Sequence, residues 1–109
     1  MPASTPAPPY YAVIFTSIQT EGDTGYNEMA EKMDALAKQQ HGYLGIESAR
    51  NQIGITVSYW KDLESIQKWK QQTDHLLAQK QGIEEWYDSY QVRICKVERD
   101  YGYNKNEKI

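Results

Sequence analysis

The sequence contains one cysteine, Cys95, and two histidines, His41 and His75, among its 109 residues. A single cysteine cannot form a disulfide within the chain, so nothing favours an oxidising compartment. The histidines are 34 positions apart and belong to no His-x-x-x-His or Cys-x-x-Cys pattern, so we predict no metal site. Glycine-rich phosphate loops are also absent, and we expect no cofactor.

Long apolar runs and basic clusters are absent as well. No segment approaches the roughly 20 apolar residues that a membrane helix needs, and the N-terminus lacks the basic and apolar regions of a signal peptide. The chain carries 12 Lys and Arg against 15 Asp and Glu, without the basic stripe that neutralises phosphates. We therefore expect a soluble, cytoplasmic protein with neither a membrane nor a nucleic acid as partner.

Phenylalanine is also scarce, whereas the other aromatic residues are abundant. The chain contains one Phe, nine Tyr and three Trp. Tyr and Trp have an apolar body and a polar tip, so they suit ligand pockets and subunit interfaces. A half-hydrated core filled by the same residues explains the composition equally well.

The chain divides into three regions. Residues 1–9 form a proline-rich leader that we expect to be extended and mobile. Residues 10–100 have the length and composition of one folded domain. Residues 101–109 form a polar tail.

Hydrophobic periodicity predicts six elements in the domain. Runs of β-branched and aromatic residues predict strands at residues 10–18, 43–50, 54–60 and 90–99. Apolar stripes at steps of three and four predict two helices, with the stripes Tyr26, Met29, Ala30, Met33, Ala37 and Leu63, Ile66, Trp69, Thr73, Leu76, Leu77. The order β-α-β-β-α-β predicts a ferredoxin-like α+β fold: a four-stranded antiparallel sheet with both helices on one face.

Several residues suit the ends of these helices. Asp23 or Thr24 is positioned to cap the first helix, and Asp62 the second. Gly42 is a natural stop for the first helix. Gly82 interrupts the second, and residues 83–87 have the composition of one further helical turn.

The first strand is apolar on both faces. Tyr11, Val13 and Phe15 alternate with Ala12 and Ile14, so both sides of the strand must be covered. Two helices cover only one face of the sheet. In so short a chain the simplest cover for the other face is a second copy, which predicts a homodimer.

The pieces YYAVIFTS, DTGYNEMAEKM, GYLGIESAR, GITVSYW, ESIQKWKQQTDH and WYDSYQVRICKVER follow one another at the spacing of a known family. From about residue 9 to residue 102 the chain resembles the antibiotic biosynthesis monooxygenase domain family, and within it a small uncharacterised bacterial branch. The resemblance implies a dimeric α+β barrel. It leaves function open, because related members include cofactor-independent oxygenases of anthrones and quinols, haem-degrading enzymes and proteins without known activity.

The resemblance points to Trp69 and His75 as catalytic candidates. Anthrone-oxidising members pair a helical Trp with a Tyr six residues later and an Asn four residues earlier. Here Trp69 matches, while His75 and Ser65 replace the other two. His75 could take a phenolic proton, since imidazole titrates near neutral pH. Alternatively, Trp69 belongs to the core and His75 to the helix surface.

The remaining candidates would bind substrate. Ser17, Ser58, Trp60 and Arg93 are polar or amphipathic residues on strands that could face a cavity between the two sheets of a dimer, and Trp86 could close that cavity. A guanidinium such as that of Arg93 could hold a phenolate or carboxylate, or form a salt bridge at the subunit interface.

Two function classes remain open at this stage. The first is a cofactor-independent monooxygenase of a small aromatic, quinol-like substrate. The second is a non-enzymatic dimeric protein that binds a small molecule in the same cavity. Haem binding is disfavoured, because haem-degrading members carry a His about ten residues after the helical Trp, where this chain has Gln79.

Overall fold

A computed structural model of the chain describes residues 2–21, 26–79 and 86–106, apart from the side chains of residues 26 and 76–79. The described residues form four strands and two helices in the predicted order. They are β1 (Tyr10–Gln19), α1 (Tyr26–Lys38), β2 (Tyr43–Arg50), β3 (Gly54–Trp60), α2 (Leu63–Gln79) and β4 (Tyr87–Val97). The strands pair antiparallel in the order β2-β3-β1-β4, so the fold is ferredoxin-like α+β, as the sequence predicts.

The two faces of the sheet differ in what covers them. Tyr11 and Val13 of β1, together with Trp60 of β3, pack against residues of both helices. We call this side the helix-side face. Because successive side chains of a strand alternate, the other residues of β1 lie on the opposite side, which we call the far face. Its members on β1 are Tyr10, Ala12, Ile14, Thr16 and Ile18.

The helices pack mainly on one half of the sheet. The chief contacts of α1 are with β2 and those of α2 are with β3. Ala37 of α1 and Ile66 of α2 meet Trp60 in the buried core. Of the described helices, neither is long and apolar enough to cross a membrane.

Among the stripe residues whose side chains the structure describes, two are exposed instead of buried. Ala30 of α1 is exposed, and Leu63 is 54% exposed at the first position of α2. Met29, Ala37 and Ile66 are buried as predicted. Periodicity predicts too many buried residues at a helix end, as Leu63 shows, because side chains of the first turn lie beside the connecting loop and are not covered by the sheet.

Strand β4 differs most from its predicted range. It begins at Tyr87 and ends at Val97, instead of spanning residues 90–99. Its pairing with β1 continues past an irregularity at Ile18 and Gln19 as far as Tyr87. Within the predicted helical turn at residues 83–87, Tyr87 is therefore part of a strand, and residues 83–85 lie outside the described residues. The predicted helix-end residues Asp23, Thr24 and Gly82 also lie outside the described residues.

A tight contact joins the end of α1 to the start of α2. Gly42 has φ of +87°, a conformation that residues with a Cβ rarely adopt. A Cβ at Gly42 would lie 2.1 Å from Ser65 Oγ. Ser65 in turn donates its backbone N–H to Asp62 Oδ1 at 2.8 Å and its hydroxyl to the same oxygen at 2.6 Å. Asp62 thus caps α2 as predicted, and Gly42 leaves room for the cap.

We expect Gly42→Ala to lower the free energy of unfolding by about 2–3 kcal/mol, because a left-handed alanine costs about 1–2 kcal/mol and the displaced Ser65 weakens a helix cap worth about 1 kcal/mol. Urea unfolding followed by tryptophan fluorescence measures the change. Gly102→Ala is the matched control, since a Cβ there meets no atom within 4 Å. Equal stability of the two variants would contradict the assignment.

Candidate functional site

A cluster of three aromatic rings forms the centre of the helix-side face. Trp60 is 0% exposed and stacks on Trp69 of α2, with ring centroids 5.9 Å apart and planes 27° apart. Tyr43 of β2 meets Trp60 edge to face at 5.7 Å. We call Tyr43, Trp60 and Trp69 the Trp cluster. Trp69 lies three residues after the buried Ile66, so the helical period turns it toward the sheet, and it remains half-buried.

Ser58 completes the surroundings of Trp60. The indole Nε1–H of Trp60 donates to Ser58 Oγ at 2.9 Å, and both residues are buried. A buried N–H without an acceptor costs about 1–3 kcal/mol, so this hydroxyl has a structural role. The sequence predicts that Ser58 contacts substrate. In the structure Ser58 lies on the helix-side face, and its hydroxyl accepts the hydrogen bond from Trp60.

Ser17 also lies on the helix-side face and has a partner that the sequence did not suggest. Arg50, the last residue of β2, donates from Nη2 to Ser17 Oγ at 2.7 Å. Between them lies Gly54, the cross-strand neighbour of both residues. An added Cβ at Gly54 would lie 2.2 Å from Arg50 Cζ. No sequence signal reveals this contact, because Arg50 and Ser17 lie on strands that β3 separates.

A second aromatic cluster lies on the same face near β4. Phe15 stacks on Tyr90 at 5.4 Å and meets Tyr87 edge to face at 5.5 Å. The ring centroids of Tyr87 and Tyr90 are 5.9 Å apart. We call Phe15, Tyr87 and Tyr90 the Tyr cluster. Sequence reasoning missed it, because the cluster depends on the register between β1 and β4.

The other predicted site residues are not all brought together. His75 is exposed on α2, whereas Trp69 packs on the sheet. Arg93 is exposed and pairs with Ile14, which places it on the far face, opposite the Trp cluster. Trp86 is buried just before β4, and its carbonyl accepts from the Thr20 N–H at 2.9 Å. A single cavity between two sheets could not contain all these residues.

The described residues offer no group of three or more His, Cys, Asp and Glu side chains placed to hold a metal ion.

On the far face, two phenols hydrogen-bond to carboxylates. Tyr59 Oη donates to Glu47 Oε1 at 2.5 Å, and Tyr10 donates to Asp100. The two rings meet edge to face at 5.9 Å. Glu47 also accepts the backbone N–H of Ala3 at 2.8 Å. The leader, expected to be mobile, therefore contacts the sheet at this end of the far face.

These contacts shift the pKa values of three side chains, Tyr59, Tyr10 and Glu47. Burial and the hydrogen bond to Glu47 raise the pKa of Tyr59 to about 12. The hydrogen bond to Asp100 raises the pKa of Tyr10. The bonds from Tyr59 and from the Ala3 amide lower the pKa of Glu47. The folded state therefore holds a neutral Tyr59 against a charged Glu47.

We expect the stability that Tyr59 contributes to be complete below pH 10, its ordinary pKa of 10.0, and to be lost as pH rises through about 12. The lowered pKa of Glu47 acts on the acid side: its contribution is present above the ordinary value of 4.5 and is lost as pH falls below it. Ultraviolet titration of phenolate, wild type minus Tyr59→Phe, should show one group near pH 12. Tyr103→Phe is the control on an exposed ring, and a Tyr59 titration near pH 10 would contradict the network.

Comparison with known proteins places the chain in a family. Residues 18–101 match the sequence model of the family described as monooxygenase af470-like. The uncharacterised protein YqjZ of Bacillus subtilis is 49% identical over 106 residues, which covers 95% of this chain and 93% of that protein.

Solved structures share the fold at much lower identity. SnoaB, a cofactor-independent oxygenase from Streptomyces nogalater, matches with a TM-score of 0.66 at 9% identity, over 92% of this chain and 100% of that chain. PA3566 from Pseudomonas aeruginosa matches with a TM-score of 0.65 at 17% identity, over 87% of this chain and 98% of that chain. From the match over residues 18–101 and the identity to YqjZ, we conclude that the chain belongs to the af470-like monooxygenase family.

Proposed function

We propose that the chain is a cofactor-independent monooxygenase that oxidises a small aromatic, quinol-like molecule on its helix-side face. The observation that carries the proposal is the pair of aromatic clusters on that face, with the half-buried Trp69 on one side and the partly exposed Tyr90 on the other. The family assignment and the fold shared with SnoaB, a cofactor-independent oxygenase, support the same reaction class.

The surface between the clusters suits a flat apolar substrate. Tyr90, Val92 and Ile94 of β4 are between 41% and 52% exposed. Val92 and Ile94 pair with Phe15 and Val13, so they lie on the helix-side face. The helices pack chiefly on the β2–β3 half, which leaves the β1–β4 half of the described structure less covered. Apolar and aromatic side chains are the common lining of small-molecule sites.

The reaction class needs little from the protein. A base removes a phenolic proton, and the resulting anion has carbanion character at a ring carbon. Electrons then pass from that carbon to O₂, a peroxide forms, and water leaves as the carbon becomes a carbonyl. In the keto tautomer of such a molecule the reacting carbon is a CH₂ group, and CH₂ and O₂ together give C=O and H₂O, so no external reductant is required. Apolar surroundings protect the anion from solvent.

The proposal assigns roles to Trp69, Trp60 and His75. Trp69 forms the wall of the substrate surface and is backed by Trp60. His75, exposed on the same helix, is the candidate base. Ser17 is 1% exposed and accepts from Arg50, so it has no direct contact with substrate in this proposal. Arg93 lies on the far face and takes no part in this site.

Oxygen uptake by the purified protein, with anthrone and naphthoquinol substrates and no added metal or cofactor, tests the activity. We expect uptake by the wild type, at least a tenfold loss in Trp69→Ala, and retention of the fold in Trp69→Phe, which keeps a ring on Trp60. His75→Gln should reduce the rate by about 100-fold if His75 is the base. His41→Gln, at an exposed histidine after α1, is the matched control.

The other outcomes are equally informative. Binding of a naphthoquinol without oxygen uptake would contradict the enzyme and favour the non-enzymatic binding protein. A strong absorbance band on titration with haem would favour a haem protein. An unchanged rate in His75→Gln would remove His75 from the mechanism and leave the oxygenase assignment in place.

We also propose that the protein works as a homodimer whose subunits meet through the far face. Ile18 of β1 and Ile55 of β3 are exposed there, beside the half-buried Ile14 and Val57. The leader contacts Glu47, the β2 neighbour of Val57, and so lies beside this patch. A patch of branched apolar side chains on a sheet is typical of a covered surface, and the resemblance to the dimeric α+β barrels supports a second copy as the cover.

Analytical ultracentrifugation should give about twice the mass of one chain. Ile55→Glu should shift the protein toward the monomer, because a charge would then be buried between the two sheets. Leu63→Glu introduces the same charge at an exposed leucine of α2 and should leave the dimer intact. A wild-type mass equal to one chain would refute the proposal.

A further inference from the structure

The two flanks of α2 face different parts of the structure. On one flank, Gln72 and Gln40 exchange two amide hydrogen bonds of 3.0 and 3.1 Å, which join α2 to the residues that follow α1. Across the sheet order β2-β3-β1-β4, α1 contacts chiefly β2 and α2 chiefly β3. The flank of α2 that carries Gln72 is therefore the α1 side, and the opposite flank faces the β1–β4 half of the helix-side face.

An ion pair lies on the flank that faces the β1–β4 half. At about 100° per residue, Lys70 and Asp74 each lie about 160° around the helix from Gln72. Lys70 Nζ and Asp74 Oδ2 are 2.6 Å apart. The hydrogen bond to Asp74 is the main cause that raises the pKa of Lys70, and the phenol of Tyr90 raises it further. The pair therefore borders the exposed part of β4 at Tyr90.

A second ion pair on the same helix has the same spacing but lies on the other flank. Lys68 Nζ is 3.2 Å from Glu64 Oε1. Both residues lie within about 80° of Gln72, so this pair is on the α1 side of the helix. The side chains of Lys68 and Lys70 are 65% and 70% exposed. Helix stabilisation explains both pairs equally well, whereas the Lys70–Asp74 pair alone of these two adjoins the apolar part of β4.

The Lys70–Asp74 pair can bind a further polar group. An ammonium has three N–H donors, and among the residues that the structure describes Asp74 is the one acceptor for Lys70. The carboxylate of Asp74 uses Oδ2 for this bond, which leaves Oδ1. A hydroxyl group is both a donor and an acceptor, so it can donate to Asp74 and accept from Lys70 at the same time.

From this arrangement we infer that the Lys70–Asp74 pair binds the hydroxyl group of a phenolic ligand whose ring lies on the exposed side chains of Tyr90, Val92 and Ile94. The apolar side chains match the ring, and the ion pair matches the one polar group at its edge. The ammonium of Lys70 also favours the ionised form of that hydroxyl. The role of the bound phenol as a substrate rests on the oxygenase function proposed above, whereas its binding does not.

Binding of 1-naphthol and of its methyl ether at neutral pH, measured by isothermal titration calorimetry, tests the hydroxyl site. The ether has the same ring but no O–H to donate to Asp74. We expect the naphthol to bind about fivefold more tightly, since hydrogen bonds to charged groups are among the stronger ones. Lys70→Met should bring the two affinities together by weakening the naphthol alone. Unchanged binding of the ether shows that the variant is folded.

Two further variants sharpen the result. Asp74→Leu removes the acceptor of the hydroxyl proton and should also reduce the preference for naphthol. Lys68→Met is the matched control, because it breaks an ion pair of the same spacing on the other flank of α2 and should keep the preference. Equal affinity for naphthol and ether in the wild type, no binding of naphthol, or a preference that survives Lys70→Met would overturn the hydroxyl site.

Oxygen uptake separates this inference from the proposed function. With a naphthoquinol as substrate, a KM that rises about fivefold in Lys70→Met and stays unchanged in Lys68→Met supports both. Uptake with the same KM in wild type and Lys70→Met supports the oxygenase and contradicts the hydroxyl site. Selective binding of 1-naphthol without any uptake supports the hydroxyl site and contradicts the oxygenase.

Discussion

Trp60 is completely buried at the place where β3 meets both helices. Its indole N–H donates a hydrogen bond to Ser58 in this buried position. Its ring packs against Trp69 of α2, and the same core includes Ala37 of α1. Burying a ring of this size is worth several kcal/mol in a domain whose net stability is about 5–15 kcal/mol. The position of α2 over the sheet, and with it the helix-side face, depends on this packing.

Much of the fold could be predicted because its signals are local. The ranges of β2 and β3 follow from two segments with apolar and aromatic residues, separated by three residues, and both agree with the structure. Asp62 is recognisable as a cap from its position before an amphipathic stripe. The start of β4 was not predictable in this way, because it depends on pairing with β1 beyond the irregularity at Ile18 and Gln19.

The placement of the candidate site residues on the two faces of the sheet could not be predicted in full, for a geometric reason. Alternation along a strand says which residues share a side, but not which side meets the helices. Ser17, Ser58 and Trp60 share the helix-side face, whereas Arg93 lies on the far face. Arg50 was missed because its reach to Ser17 crosses an intervening strand, and no spacing within the sequence reveals such a contact.

The contact between Arg50 and Gly54 has a consequence for how this chain can vary. A side chain at residue 54 would occupy the place of the guanidinium, so a change there removes the structural reason for an arginine at residue 50. The two positions should therefore change together among related proteins: an arginine at one should accompany a glycine at the other. Relatives that lack both would form a subgroup with a different charge at this end of the sheet.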